Sequence, residues 1–166
     1  MDGVTIEAAT MEDADRLTDM WVSLAAGQRA HGSSLRADAN RAVARDAVAR
    51  HVVAGGLLLA RGSDGICGFV MFGPETGSYE QDVERGVIRN LYVRPADRDR
   101  GIGSRLLAAA EATLADEGAD VASLEAMAAN EDARRFYDRA GYEEHRIELE
   151  KPLGAAESDT DSKEGE

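Results

Sequence analysis

The stretch that most constrains the fold is Arg89 to Leu107, RNLYVRPADRDRGIGSRLL: a strand pattern, an arginine-rich loop with two glycines, then an apolar helical run. VIRNLYV reads as a strand, and Pro95 closes it because proline has no N–H to give a ladder. Gly101 to Glu117 then reads as a helix with Leu106, Leu107, Ala110 and Leu114 on one stripe and Gly118 as its stop. The strand-to-helix order recurs downstream. VASLEAM (121–127) is a strand, NEDARRFYDRAGY a short helix capped by Asn130 and ended by Gly141, and EEHRIELEK (143–151) a final strand. Strands separated by helices in this way require at least one parallel crossover, hence a mixed α/β fold.

The first half supplies the other elements. VTIEAA alternates as a strand, Thr10 and Asp13 form a helix-start signal, and residues 11–29 read as an amphipathic helix carrying Leu17, Met20, Trp21 and Leu24. A second helix spans 39–54, with Val43, Ala47, Val48 and Val52 on its stripe and Gly55-Gly56 ending it. LLLAR, SDG and ICGFVMF form a strand, tight turn and strand. Residues 73–86 make a long polar connection, a length that often carries function.

A chain of 166 residues suits one domain, here 1–153, followed by an acidic tail, 154–166, with five acids, one Lys and no apolar periodicity; that tail reads as disordered. No apolar run approaches the ~18–20 residues of a membrane span, and the acidic N-terminus has no leader pattern. Cys67 is the only cysteine, which excludes an internal disulfide and a cysteine-based zinc cluster. A cytoplasmic protein without a metal is expected. The net charge of −13 argues against nucleic acid or an anionic membrane as partner. Seventeen Arg and only two Lys stand against 32 acids. That balance fits a salt-loving source, where screening relieves repulsion; a GC-rich genome would also favour Arg over Lys.

The glycine loop admits few phosphate-binding readings. A P-loop requires Gly-Lys-Ser/Thr, which is missing. A dinucleotide fingerprint requires a small residue where Leu106 stands and glycines directly after the strand, but seven residues separate Val93 from Gly101. What remains is either a surface loop entering a helix or a cradle for an anion. In a cradle, two side-chain-free residues and the unpaired N–H groups of a helix start would be surrounded by Arg98, Arg100 and Arg105.

LYVRPADRDRGIGSRLL resembles the acetyl-CoA-binding motif of the GNAT N-acetyltransferases, Arg/Gln-x-x-Gly-x-Gly/Ala after a Leu-Tyr-Val strand, with Arg98, Gly101 and Gly103 at its fixed positions. LEAMAANEDARRFYDRAGY resembles a later block of that family through Asn130, Ala133, Tyr137 and Gly141-Tyr142. The resemblance runs from residue 4 to about 150. It implies a mixed, mostly antiparallel sheet whose central strands splay apart, with helices on both faces. It also implies an acetyl-CoA cosubstrate. The pantetheine would lie along Leu91, Tyr92 and Val93, and the phosphates on Arg98, Asp99, Arg100, Gly101, Ile102, Gly103, Ser104 and Arg105. Asn130 and Ala133 would touch the cofactor, or Asn130 would cap its helix.

The reaction implied is acetyl transfer to a primary amine of a small molecule or a protein. By the resemblance Tyr137 is the acid beside the sulfur; the alternative packs it with Phe136 and Tyr142. Glu125, expected mid-strand, is the candidate base, with Glu84 as runner-up, or else Glu125 pairs an arginine. Gln28, His31, Tyr79 and Glu84 are the acceptor-site candidates, although His31 also reads as a helix-end residue. The acidic loop would suit a cationic amine, and a homodimer is possible. A non-catalytic acyl-CoA sensor of the same fold is the alternative function.

The charge balance predicts that the melting temperature rises with KCl up to molar concentrations, where the Debye length falls to ~3 Å. A flat or falling melting temperature across that range contradicts the halophile expectation.

Overall fold

The computed structural model describes residues 3–154. The expected acidic tail therefore lies outside the described residues, apart from Gly154. The elements run β1 (Thr5–Ala8), α1 (Ala14–Arg29), α2 (Arg41–Ala54), β2 (Leu57–Gly62), β3 (Gly65–Pro74), β4 (Arg85–Val93), α3 (Ile102–Asp116), β5 (Val121–Leu124) and α4 (Glu131–Arg139). One five-stranded sheet has the order β1-β2-β3-β4-β5. Every pairing is antiparallel except β4 with β5. That parallel pair is the crossover implied by the strand–helix–strand order.

Alternation along the strands gives the sheet two apolar faces. Leu57, Leu59, Phe69, Met71 and Tyr92 join Leu17, Met20 and Val48 under α1 and α2. Ala60, Val70, Phe72 and Ile88 join Ile102, Leu106, Leu107, Ala110 and Leu114 under α3. Arg-carboxylate pairs tie the first helices together: Arg41 to Asp19 at 2.6 Å and Arg45 to Asp15 at 2.7 Å. Arg61 reaches from β2 to Glu7 at 2.8 Å and to Asp13 at 3.0 Å. Much of the arginine content is thus structural, although each exposed pair contributes only ~0–1 kcal/mol.

Three expectations are corrected. Val43 is 64% exposed, because the buried stripe of α2 is Ala44 and Val48. The strand predicted over 121–127 ends at Leu124, since β4 offers β5 partners only from Arg85 to Ile88. The predicted final strand, 143–151, joins no sheet and is exposed throughout. Its alternating pattern is suited to an edge, and among the described residues no strand pairs with it.

β3 and β4 approach closely at Gly68 of β3. A Cβ there would lie 2.3 Å from the Tyr92 carbonyl oxygen and 3.0 Å from the Val93 Cα. Gly68→Ala is therefore expected to lower stability by ~1–3 kcal/mol in urea unfolding, the usual cost of overpacking. Wild-type stability in that variant would contradict the β3–β4 spacing.

Candidate active site

The site begins where β4 parts from β5. Their pairing stops at Ile88–Leu124, while β3 follows β4 on its other side as far as Gly68–Val93. The register between β3 and β4 shifts at Met71/Phe72, so that Arg89 is the extra residue of a bulge between Ile88 and Asn90. Beyond it the Arg94 N–H donates to the Cys67 carbonyl at 2.8 Å. Antiparallel alternation then turns the backbone of Tyr92 toward β3 and that of Val93 and Leu91 toward the gap. Leu91 and the Val93 N–H have no backbone partner there among the described residues.

The loop after β4 is fixed by one carboxylate. Asp97, 8% exposed, accepts from Arg94 Nε at 2.7 Å and from Arg100 Nη1 at 2.9 Å. Arg98 donates through Nε to the Val93 carbonyl at 2.7 Å and lies 5.7 Å over the Tyr92 ring. Asp99 and Gly101 both take positive φ, 64° and 80°, which bends the chain into α3. The first helical bond runs from the Arg105 N–H to the Gly101 carbonyl at 3.1 Å. The N–H groups of Ile102, Gly103 and Ser104 are consequently left without intrahelical partners, at the positive end of the helix. Gly103 faces Phe136 and Val93, with a built Cβ 3.6 and 3.7 Å from them. An open strand edge leading to a bare helix start fits an elongated ligand with an anionic head.

Of the three arginines expected on phosphates, Arg100 is committed to Asp97, and Arg98 has spent its Nε on the backbone. Arg105 is exposed, with no carboxylate partner among the described residues. The Tyr92 side chain turns away from the gap, into the α1 face beside Phe69. Ile102 is a core residue of α3. Asn130 caps α4, accepting from the Ala133 N–H at 3.1 Å, so the capping alternative is the observed one.

Tyr137 sits in an edge-to-face cluster, 5.1 Å from Phe136 and 5.9 Å from Tyr142. Burial pushes its phenol above the ordinary tyrosine value, which keeps it protonated at neutral pH. Tyr142 differs. Its hydroxyl donates to Glu111 Oε2 at 2.6 Å, and burial together with that carboxylate raises its pKa. Tyr142 is thereby tied to α3.

The two carboxylate candidates stand at different levels along β4. Glu125 follows Leu124, the last paired residue, so it stands at the fork opposite Arg89. It is exposed and one residue beyond β5, which removes the expectation of a buried mid-strand carboxylate. Glu84 precedes β4 at the closed end, where its backbone pairs with Asp120. Four residues lie between it and Arg89, five steps along the strand or ~17 Å at the usual rise.

On the α1–α2 face, a cleft of roughly 620 Å³ opens beside the bulge. Trp21, Val43 and Met71 form apolar wall; Arg50, His51, Arg89 and Asn90 are its polar lining. Neither Arg50 nor Arg89 pairs a carboxylate among the described residues; Arg89 reaches only the Pro74 carbonyl, at 3.2 Å. The His51 Nδ1–H donates to the Ala47 carbonyl at 2.7 Å, leaving Nε2 without the proton in the neutral ring. Burial first, then Arg89 and Arg50, pushes its pKa below the ordinary imidazole value, against the pull of that bond. None of Gln28, His31, Tyr79 and Glu84 lines this cleft. Gly32, next to His31, does come against Met127, 3.6 Å from a built Cβ, so the α1–α2 link meets the chain just past β5.

Sequence reading missed Asp97 and the cationic lining. The first had a signal, Arg-x-x-Asp-x-x-Arg over 94–100. The second had only a weak one, two polar residues interrupting an apolar strand at 89–90. Asp97→Asn should cost ~1–3 kcal/mol in urea unfolding, because charge-assisted bonds from two arginines are lost together. An unchanged midpoint would mean that Asp97 does not hold the loop.

A model of the Acetyltransferase (GNAT) family matches residues 20–142. An aminoalkylphosphonate N-acetyltransferase of Salmonella typhimurium is 40% identical over 68 residues, which span 41% of this chain and 44% of that protein. Among solved structures, a GCN5-related N-acetyltransferase from Ralstonia eutropha aligns with a TM-score of 0.72 at 25% identity, over 91% of this chain and 99% of that one. An aminoglycoside N-acetyltransferase in complex with CoA aligns with a TM-score of 0.71 at 14% identity, over 90% and 94% of the two chains. With the family model covering most of the chain, and with this sheet and loop, the protein belongs to the GNAT family of acetyltransferases.

Proposed function

We propose that this chain is an acetyl-CoA-dependent N-acetyltransferase whose acceptor is a small primary amine carrying an acidic group. The open edge of β4, running into the bare start of α3, carries the first half of that reading. When bound there, acetyl-CoA supplies an acyl group already activated as a thioester. The chain would hold its amide-bearing arm on Leu91 and Val93, as an added strand is held. The N–H groups of Ile102, Gly103 and Ser104, with Arg105, would take the phosphates. Tyr137 holds a proton at its hydroxyl and would donate it to the departing sulfur.

The cleft supports the second half. Arg50 and Arg89 line it without a carboxylate partner, in a chain of net charge −13. Two such guanidiniums favour an anion, and planar, bidentate recognition of a carboxylate or phosphonate is what arginine does well. The curated relative named above acts on aminoalkylphosphonates, in which an amine and an anion share one small molecule. This reading replaces the cationic acceptor suggested by the acidic 73–86 connection. Glu125 at the fork, and His51 with its bare Nε2, are the groups that would accept the amine's proton.

A thiol-release screen tests both halves. Amines bearing a phosphonate, phosphate or carboxylate should turn over in preference to neutral amines and polyamines. Arg89→Met should raise KM for the acidic acceptor ~10–100-fold, the scale of a lost charge-assisted bond, and leave KM for acetyl-CoA near normal. Tyr137→Phe should lower kcat ~10²–10⁴-fold with little change in acetyl-CoA affinity. A preference for polyamines would overturn the acceptor class alone. Acetyl-CoA raising the melting temperature with no thiol release from any amine would favour a non-catalytic acyl-CoA-binding module instead.

A further inference from the structure

The cleft beside the bulge carries a second kind of surface that an anion alone would leave uncovered. Besides Arg50 and Arg89 it is lined by Trp21 of α1, Leu35 of the α1–α2 link and Val43 of α2. Leu35 is 48% exposed and Val43 64%. Trp21 is half-buried, with part of its surface packed against the α1-side core. A lone exposed apolar side chain is ordinary on a protein surface. Three of them in one concavity with polar groups mark a surface that a ligand covers. Val43, which the buried stripe of α2 leaves out, fits such a wall.

The dimensions agree. The cleft holds roughly 620 Å³. That is within the ~300–1,000 Å³ of pockets that take drug-sized ligands, and it is more than a two-carbon aminophosphonate fills. α2 adds to the width by presenting Ala44 and Ala47 there, whose side chains are short. The position of Arg89 narrows the class further. It is the bulge residue at the level where β5 leaves β4, the point at which acyl donor and amine would meet. An anion held by Arg89 leaves the amine only a short reach to the fork. An α-amino acid has that geometry, because one carbon carries the amine, the carboxylate and the side chain.

We infer, on the reading of the acceptor as an acidic amine, that it is a free α-amino acid with a large apolar side chain. Its carboxylate would lie on Arg89 and Arg50, and its side chain against Trp21, Leu35 and Val43. An aromatic side chain suits this wall best, since it gains from an aromatic partner beyond the area it buries. A peptide N-terminus fits less well, because its first residue has an amide where the carboxylate would sit. Transfer would form a C–N bond at the acetyl carbonyl carbon and break its C–S bond. One proton leaves the nitrogen and one joins the sulfur.

Trp21 is the chain's only tryptophan, so its fluorescence reports occupancy of the wall without turnover. The full chain, saturated with CoA so that no acetyl group is present, is titrated with phenylalanine, alanine, phenylalaninamide and ω-aminohexanoate. Emission and calorimetry are followed together. Phenylalanine should blue-shift the emission and bind ~10–100-fold more tightly than alanine, the scale of burying one large apolar side chain. ω-Aminohexanoate, whose apolar chain lies between amine and anion, should bind more weakly than phenylalanine. Alanine or ω-aminohexanoate binding as tightly as phenylalanine overturns the inference, and so does emission that phenylalanine leaves unmoved. Phenylalaninamide binding as tightly as phenylalanine removes the need for an anion, and the acidic-acceptor reading falls with the inference. Leu35→Ser with Val43→Ser spares the fold, both side chains being exposed. In the thiol-release assay it should lower the phenylalanine-to-alanine ratio of kcat/KM ~5–20-fold. A wild-type ratio in that variant overturns the wall. Thiol release from acidic amines without preference for apolar side chains would sink this inference alone.

Discussion

The end of β4–β5 pairing at Ile88–Leu124 is the constraint on which the rest of the site depends. A strand in a sheet normally spends its backbone groups on two neighbours. Here β4 keeps one neighbour for its whole length, through contact as close as Gly68 against Tyr92, and loses the other halfway. The freed groups stay straight and aligned because β3 still holds them. The bulge at Arg89 lies at the same level, so the strand changes direction where its second partner leaves. One face of the gap then meets the start of α3 and the aromatic cluster of α4, and the other meets the cleft under α1 and α2. An acyl donor and an amine could in this way reach one another from opposite faces of a single sheet.

That arrangement needs a loop that delivers α3 to the gap at a fixed angle, and electrostatics does that work. Asp97 draws Arg94 and Arg100 together from either side, three residues each way. Arg98 ties the same loop back to the Val93 carbonyl. The arginines that looked like a phosphate-binding cluster thus act first on the protein itself, and the proposed phosphates would fall more to backbone N–H groups and Arg105. Backbone donors cost little side-chain entropy on binding, because the turn at Asp99 and Gly101 already aims them.

Much of this was legible in the residues. The order of elements, the hairpin, the α3 stripe and the loop-to-helix join each had a local pattern, because periodicity and turn chemistry are written in near neighbours. What could not be read was set by partners distant in sequence. Glu125 looked buried because VASLEAM alternates as a strand, but β4 releases β5 at Leu124, a fact about residues nearly forty positions upstream. Arg50 and Arg89 look like ordinary surface arginines until the fold sets helix α2 beside the bulge. The segment 143–151 shows the reverse case: its strand pattern is clear, yet strand structure requires pairing, and among the described residues it pairs with no strand.

The charge of the whole protein would act against the anionic ligands proposed for its site. A net charge of −13 raises the electrostatic cost of bringing up a pyrophosphate or an acidic amine from a distance. That repulsion is long-ranged and passes through water, so salt removes it: at ~1 M the Debye length is ~3 Å. Contacts inside the cleft act at hydrogen-bond distance, where screening has the least effect. Salt therefore separates the two contributions, suppressing the field of the surface carboxylates while sparing Arg50, Arg89 and the N–H groups of α3. An acidic shell around a few unpaired cationic groups would thus suit the proposed anionic ligands better in concentrated salt than in dilute buffer.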